Sequence, residues 1–184
     1  MPRALFAVLA IFAYSLGSCL AQEASSTQQP AQPAPKMISA QPSPTPYEDA
    51  AAEQQLLELA NQSRREAGAP PLRMDATLSN AARAHARLMV ERQQLSHQFD
   101  GEPRLMPRLL ETGLRLDRVG ENVAFNASAE KAFEALMQSP LHRRNLLDPT
   151  YNSAGFAAFW SNGRLYVVQD FAHQMPSLTK TSLP

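Results

Sequence analysis

The segment FAAFWSNGRLYVVQDF, residues 156–171, carries the clearest strand pattern in the chain. Apolar residues alternate with their neighbours on both sides of the Ser161-Asn162-Gly163 triplet. A period of two is typical of β-strands, and Asn-Gly between two such runs favours a tight hairpin turn. We therefore predict two antiparallel strands here, and we expect a third strand near Val123.

The residues before this hairpin show helical periodicity instead. Apolar residues recur at three- and four-residue steps over 52–67, and again over 76–92 after Asp75, a residue suited to cap a helix N-terminus. Shorter helices are predicted over 103–112, 128–138 and 141–147. Helices in the first two-thirds and strands in the last third predict an α+β fold, with helices covering a small antiparallel sheet.

The N-terminus predicts export. Arg3, the apolar stretch 4–16 and the small residues up to Ala21 are typical of a secretory signal peptide over residues 1–21. Cleavage after Ala21 is one way to process it. Alternatively, Leu16-Gly17-Ser18-Cys19 resembles a bacterial lipobox, in which Cys19 would be the lipid-attachment site. Both alternatives stay open from the sequence.

Residues 22–48 are predicted to be a disordered linker. Prolines are interspersed there with Gln, Ser, Thr and Ala, and large apolar residues are scarce, so burial cannot offset the entropy of ordering. Residues 49–175 are predicted to form one domain, which is long enough for a single core. Residues 176–184 are then a C-terminal tail.

Composition excludes several classes of protein. The 17 basic and 17 acidic side chains cancel, which argues against a nucleic-acid-binding module that neutralises phosphates with surplus Lys and Arg. A single cysteine excludes a disulfide scaffold and a zinc site built from several thiolates. We expect a monomer that contacts a membrane only through the N-terminal lipid, if one is attached.

Three short polar islands interrupt the apolar pattern, each at a junction between predicted elements: Ser96-His97, Gly120-Glu121-Asn122 and Ser139-Pro140-Leu141-His142-Arg143. Their two imidazoles and one carboxylate can form an open divalent-metal site or a hydrogen-bonded acid–base cluster. The spacing alone does not show that they converge.

Structural roles for the same polar residues are the alternative. Glu121 and Asn122 could chiefly cap a helix or bond loop amides, and His142 could bond backbone carbonyls. His85 lies on the apolar face of the second helix, so we expect a hydrogen-bonded core histidine outside the site. His173, at the end of the last strand, is expected to be exposed to solvent.

Ordered motifs between about Leu56 and Ala172 resemble the CAP superfamily, which takes in cysteine-rich secretory proteins, antigen 5 and plant pathogenesis-related proteins. The resemblance is to its disulfide-free bacterial branch, often called SCP-like. The motifs that carry it are residues 59–64, 71–72, 81–86, 96–97, 108–113, 120–124, 139–147, 151–156 and 169–171.

The resemblance implies an α–β–α sandwich, with a central antiparallel sheet between helical layers and a polar cleft lined by two His and two Glu. His97 matches the first histidine of that tetrad, Glu121 the carboxylate of the Gly-Glu-Asn motif, and His142 the second histidine. The second glutamate has no match, because Ser139 stands near its position.

These residues lead to one main functional expectation. An exported CAP-domain protein would bind a divalent metal, zinc by preference, or an unidentified small or lipidic ligand. His97, Glu121 and His142 are the expected metal ligands, and Ser139 and Asn122 are expected to contact the ligand.

Two other functions remain as alternatives. One is a metal-dependent hydrolase, in which Glu121 or a metal-bound hydroxide attacks an ester or amide. The other is a purely structural or interaction domain of the cell envelope. We expect binding rather than catalysis, because no Ser or Cys nucleophile stands beside a base in a recognisable motif and the family has no generally accepted activity.

Overall fold

The computed structural model describes residues 45–176, which build five helices and a five-stranded sheet. The helices are α1 (Ala50–Glu66), α2 (Ala76–Arg92), α3 (Leu105–Leu110), α4 (Ala129–Gln138) and α5 (Pro140–Leu147). The strands are β1 (Tyr47–Glu48), β2 (Arg73–Met74), β3 (Leu116–Asn126), β4 (Ser153–Ser161) and β5 (Arg164–Gln174). The predicted signal peptide, Cys19, most of the predicted linker and nearly all of the predicted tail lie outside the described residues.

The predicted hairpin is present as β4 and β5, which pair antiparallel along the whole length of β4. Asn162 and Gly163 in its turn have φ angles of 51° and 73°. Two consecutive positive φ angles are what a two-residue turn needs to match the twist of the strands, and Asn-Gly adopts them at low cost. This turn fixes the register that places Trp160 opposite Leu165.

The sheet runs in the order β1-β4-β5-β3, and β2 pairs with β4 in parallel. β3 is an eleven-residue strand, although its pattern signalled a strand only near Val123. The reason is burial on both faces from Gly120 to Ala124, which removes the alternation that reveals a half-exposed strand. β1 occupies the last two residues of the segment predicted as linker, since Tyr47 and Glu48 pair with β4.

The predicted helices are present with small shifts at their ends. Asp75 caps α2 by accepting hydrogen bonds from the N–H groups of Thr77 and Leu78, and Ser128 caps α4. α3 is shorter than predicted because Arg104 is extended, with a ψ angle of 159°. Within residues 45–176, the helices are too short or too polar to cross a bilayer.

Helices cover both faces of the sheet, so the predicted α–β–α sandwich is confirmed. On one face α1, α4 and α5 pack on alternate strand residues such as Phe156 and Val167. On the other face α2 packs on the residues in between, such as Ala157 and Val168. α2 lies so close to β4 that a Cβ atom at Gly155 would fall 2.2 Å from the backbone carbon of Leu78.

One buried arginine ties the end of α1 to the segment that carries α5. Arg64 is fully buried, and its guanidinium donates hydrogen bonds of 2.7–2.9 Å to four backbone carbonyls, those of Pro70, Leu146, Asp148 and Tyr151. The buried guanidinium thus has four backbone acceptors, drawn from the loop after α1 and from the C-terminal end of α5 and the loop that follows it. Arg64 therefore holds the C-terminal end of α5 against the core, which in turn places His142 at its other end.

Candidate functional site

The polar residues singled out in the sequence meet at β3, the strand at one edge of the sheet. Glu121 and Asn122 are neighbours on β3, so their side chains lie on opposite faces. His97 comes from the loop between α2 and α3, and His142 from the first turn of α5. The structure thus brings three separate segments to this strand.

His97 and Glu121 are in direct contact. His97 Nδ1 donates a hydrogen bond of 2.8 Å to Glu121 Oε1. The Glu121 side chain is buried, whereas 58% of the His97 side chain is exposed. The His142 ring lies beside the His97 ring, with 6.4 Å between their centroids. The arrangement is a buried carboxylate below one exposed imidazole, with a second imidazole next to it.

A three-residue metal site is not assembled in this arrangement. Within the described part of the chain, no three His, Cys, Asp or Glu side chains lie close enough together to hold an ion. Both oxygens of Glu121 are already engaged, Oε1 by His97 and Oε2 by Arg108. Of the three expected metal ligands, His97 and His142 have imidazole nitrogens that could bind a metal. Glu121 instead contacts His97 and Arg108.

Arg108, on α3, is the residue that holds Glu121 in place. Its guanidinium hydrogen-bonds to Glu121 Oε2 from one terminal nitrogen and to Glu102 Oε1, at 2.9 Å, from the other. Arg108 is 8% exposed and Glu121 is 6% exposed, so this ion pair is shielded from water. A charge-assisted pair of this kind is stronger and more directional than one at the surface.

His85 is a hydrogen-bonded core histidine, as predicted, and it also supports the site. Its ring is fully buried, and Nε2 donates to the backbone carbonyl of Ser96 at 2.8 Å. Its Nδ1 lies 2.7 Å from Glu102 Oε1. Because Ser96 precedes His97 in the chain, His85 fixes the loop that presents His97.

Asp170 lies directly opposite Glu121 in the β3–β5 register and is fully buried. Neither of its carboxyl oxygens has a hydrogen-bond partner among the described residues, and the nearest cationic nitrogen, on Arg108, is 3.9 Å away. Burial, and then the negative charge of Glu121, raise the pKa of Asp170 well above its usual range. A protonated Asp170 can donate its O–H to Glu121, which would give one of its two oxygens a partner.

The remaining pKa shifts follow from the same contacts. Burial alone raises the pKa of Glu121, but the hydrogen bond from His97 and the charge of Arg108 outweigh it and leave the pKa lowered. The hydrogen bond to Glu121 raises the pKa of His97. Burial, together with the charge of His97, lowers the pKa of His142. The two neighbouring imidazoles therefore differ in basicity.

Asn122 does not present its amide to a ligand, which corrects the expectation from the sequence. It is fully buried, its Nδ2 donates to the His142 carbonyl (3.0 Å) and to Gln169 Oε1 (3.1 Å), and its Oδ1 accepts from Asn145 Nδ2 at 3.1 Å. Asn145 also donates to the Glu121 carbonyl at 3.1 Å. The two amides fasten α5 to β3 and so position His142.

Ser139 and His142 line one shallow groove of about 260 Å³. Its other lining residues are mostly apolar: Leu95, Val123, Ala124, Phe125, Ala135 and Leu136. Two larger hollows, each of about 540 Å³, lie elsewhere, one between α1 and α4 and one beside Arg118 and His173. His142 therefore borders an apolar groove that is smaller than either of these two hollows.

Several residues of this cluster were not singled out from the sequence. Arg108 lies within one of the family-like motifs, but nothing in the sequence assigned it to Glu121. Gln169 and Asp170 gave a usable signal, because two adjacent polar residues in an otherwise apolar strand are unusual.

His173 is 40% exposed, and its Nδ1 lies 2.7 Å from Asp117 Oδ1, away from this cluster.

The buried acid Asp170 generates a stability prediction. Since its pKa is raised in the folded state, the stability it contributes is present at low pH and is lost as pH rises through that pKa. Asp170→Asn removes this loss and supplies an amide donor for Glu121. We expect the free energy of unfolding of Asp170→Asn to increase relative to that of the wild type as pH rises above about 4, by up to about 1.4 kcal/mol per pH unit.

Urea unfolding at several pH values measures this difference, with the exposed Asp100→Asn as the control that should track the wild type at every pH. If Asp170→Asn lost stability relative to the wild type as pH rose, Asp170 would be ionised in the folded protein.

The sequence of this chain matches a known protein family. The sequence model described as "Cysteine-rich secretory protein family", named CAP, matches residues 57–171. YkwD of Bacillus subtilis (strain 168), described as uncharacterized, is 30% identical over 125 residues, which are 67% of this chain and 48% of YkwD. The uncharacterized membrane protein YlbC of the same organism is 31% identical over 120 residues, 65% of this chain and 34% of YlbC. The match thus spans less than half of either curated relative.

Solved structures agree with the fold. An extracellular protein containing an SCP domain from Bacillus anthracis superposes with a TM-score of 0.60 at 25% identity, over 66% of this chain and 40% of that one. An outer surface protein from Borrelia burgdorferi superposes with a TM-score of 0.65 at 17% identity, over 70% of this chain and 98% of that one. With the family match over residues 57–171 and the α–β–α sandwich, these likenesses show that the chain belongs to the cysteine-rich secretory protein (CAP) family, in its bacterial SCP-like branch.

Proposed function

We propose that this chain is an exported CAP-domain binding module that takes a divalent transition-metal cation, zinc by preference, at His97 and His142. The observation that carries the proposal is the hydrogen bond from His97 Nδ1 to the buried Glu121. It leaves Nε2 as the free nitrogen of an exposed ring, next to a second imidazole. Neutral imidazole nitrogens are preferred donors for zinc and related cations.

Glu121 has an orienting role in this proposal rather than a ligating one. A carboxylate that binds one nitrogen of a metal-binding histidine fixes its tautomer and makes the other nitrogen a better donor, and loss of such a partner typically costs 10–100-fold in metal affinity. Arg108 keeps Glu121 ionised and in place. Two protein ligands leave positions on the ion open, where a small-molecule or lipidic ligand has room to bind along the apolar groove.

Binding fits the cluster better than hydrolysis. Ser96, the hydroxyl nearest to His97 in the sequence, donates to the Gln98 carbonyl at 2.6 Å and is therefore engaged within its own loop. A serine nucleophile needs a base that accepts its proton. Turnover of a panel of esters, peptides and glycans that disappears in His142→Ala would favour the hydrolase instead.

Export is the second part of the proposal. Residues 1–21 have the composition of a signal peptide. The 25%-identical structural relative from Bacillus anthracis is described as extracellular. The domain would then act outside the cytoplasm, either free or held to the envelope through a lipid on Cys19.

Zinc titration of the purified domain by calorimetry tests the metal site. We expect His97→Ala and His142→Ala each to abolish the binding heat, because each removes one of the two ligands. Glu121→Gln should bind about 10–100-fold more weakly than the wild type. His173→Ala is the matched control, since His173 is also an exposed histidine paired with a carboxylate, and it should titrate like the wild type.

Indistinguishable heats for the wild type, His97→Ala and His142→Ala would remove the metal from the proposal. Heat lost equally in His173→Ala would show that zinc binds single surface histidines.

Mass spectrometry of the mature protein from its native host tests export. We expect either an N-terminus at Gln22 or an acylated N-terminal Cys19, because the two processing routes leave those products. A mature chain that still begins at Met1 would contradict export.

A further inference from the structure

We propose that the hollow beside Arg118 and His173 is a binding site for a small organic oxyanion, either a carboxylate or a phosphate monoester. The hollow has a volume of about 540 Å³ and shares no lining residue with the groove at His142. This inference goes beyond metal binding and does not depend on it. It rests on which polar groups around the hollow are free and which are already bonded within the fold.

The sheet presents Arg118 and His173 side by side. Arg118 on β3 lies directly opposite His173 on β5 in the antiparallel register, so their side chains project from the same face. Further along β5 the same face is covered by helices, and Phe171 there is fully buried. At the end of the strands the cover is lost, and the Arg118 and His173 side chains are 56% and 40% exposed. The hollow is therefore open to solvent.

Tyr151 supplies an unpaired hydroxyl at the same place. The residue lines the hollow, is 5% exposed, and stacks its ring on Phe171 with 5.7 Å between the centroids. Its phenol oxygen lies over Gly120, where a Cβ atom would fall 2.5 Å away. Among residues 45–176, no group hydrogen-bonds to this oxygen. A largely buried hydroxyl without a partner costs the fold free energy that a bound ligand can restore.

Arg118 has a free edge that matches an oxyanion. Its Nη1 is 3.5 Å from Asp148 Oδ2, and its Nε and Nη2 have no acceptor within the described part of the chain. Two parallel N–H groups of a guanidinium fit two oxygens of a carboxylate or a phosphate. Gly120, under the Tyr151 hydroxyl, is two residues from Arg118 and so on the same face of β3. Burial, and then the charge of Asp148, raise the pKa of Tyr151, so its hydroxyl keeps the proton that it would donate.

The acceptors around the hollow are mostly engaged within the fold. Asp148 Oδ1 accepts from the N–H and the hydroxyl of Thr150, at 2.9 and 2.6 Å. Asp117 Oδ1 lies 2.7 Å from His173 Nδ1. Asn152 uses both ends of its amide on backbone groups of β5. The groups left for a ligand are therefore mainly donors, which favours an anion over a cation.

Charge and shape narrow the class of ligand further. Arg64, which is buried and bonds the Asp148 carbonyl, attracts the Asp148 carboxylate and so offsets part of its charge. Pro70 and Pro149 give the hollow apolar walls. A volume of about 540 Å³ is more than a single inorganic ion fills. The fitting ligand therefore carries its oxyanion at Arg118 and an organic body against the prolines.

NMR titration of the purified, metal-free protein in a buffer without oxyanions tests the proposal. The probes are benzoate, phenyl phosphate and inorganic phosphate. We expect saturable shifts at Arg118, Tyr151 and His173 with benzoate or phenyl phosphate, and the tighter of the two identifies the oxyanion. Inorganic phosphate should bind at least ten-fold more weakly than phenyl phosphate, because it has no body to contact the apolar walls.

Two substitutions with matched controls test the contacts. Arg118→Gln should weaken binding at least ten-fold, whereas Arg144→Gln, an exposed arginine outside the hollow, should bind like the wild type. Tyr151→Phe should weaken binding about ten-fold, the usual worth of a hydrogen bond to a charged group. Tyr166→Phe, at a buried tyrosine outside the hollow, is its control and should leave binding unchanged.

Stability separates a binding role of the Tyr151 hydroxyl from a structural one. Because this hydroxyl has no partner in the fold, Tyr151→Phe should unfold at the same urea concentration as the wild type or at a higher one. A lower midpoint would show that the hydroxyl is bonded within the protein, and would overturn its assignment to a ligand.

Three other results would overturn the proposal. One is the absence of saturation by both organic probes below about 10 mM. Another is unchanged affinity in Arg118→Gln or in Tyr151→Phe. The third is equal affinity for inorganic phosphate and phenyl phosphate, which would leave a site for an inorganic ion. His97→Ala should bind the probes normally, so failure here is distinct from failure of the metal site.

Discussion

The buried ion pair between Arg108 and Glu121 is the interaction on which the candidate site depends. A carboxylate removed from water stays ionised only when it is paired and hydrogen-bonded, and Arg108 and His97 supply both conditions from opposite sides. Asp170, which lacks such a partner, is held toward its neutral form beside it. One charge is thus kept at Glu121, where it can orient an exposed imidazole.

The fold assembles this pair from distant parts of the chain. α3 contributes Arg108, α2 contributes His85 as the support of the His97 loop, and β3 contributes Glu121. On the other face, Asn122 and Asn145 bond α5 to β3 and so set the position of His142. Both helical layers therefore meet at the edge strand.

Local patterns predicted most of the fold, because these features depend on residues that are close together in the sequence. Examples are the α2 cap at Asp75, the Asn162-Gly163 turn and the alternating apolar residues on both sides of that turn. The sequence also pointed to His97, Glu121 and His142, through their resemblance to family motifs. It did not predict the partner of Glu121 or the buried state of Asp170, since both depend on where α3 and β5 pack. Asn122 was assigned to ligand contact although it follows Glu121 directly. On a strand, that adjacency places the two side chains on opposite faces.

The tautomer of neutral His97 tests the central claim most directly. Long-range proton–nitrogen NMR, recorded on the alkaline side of the raised His97 pKa, distinguishes the two ring nitrogens. Acceptance by Glu121 predicts a proton on Nδ1 and a bare Nε2, with this preference lost in Glu121→Ala. A proton found mainly on Nε2 in the wild type would contradict the account, because Glu121 would not be holding the ring.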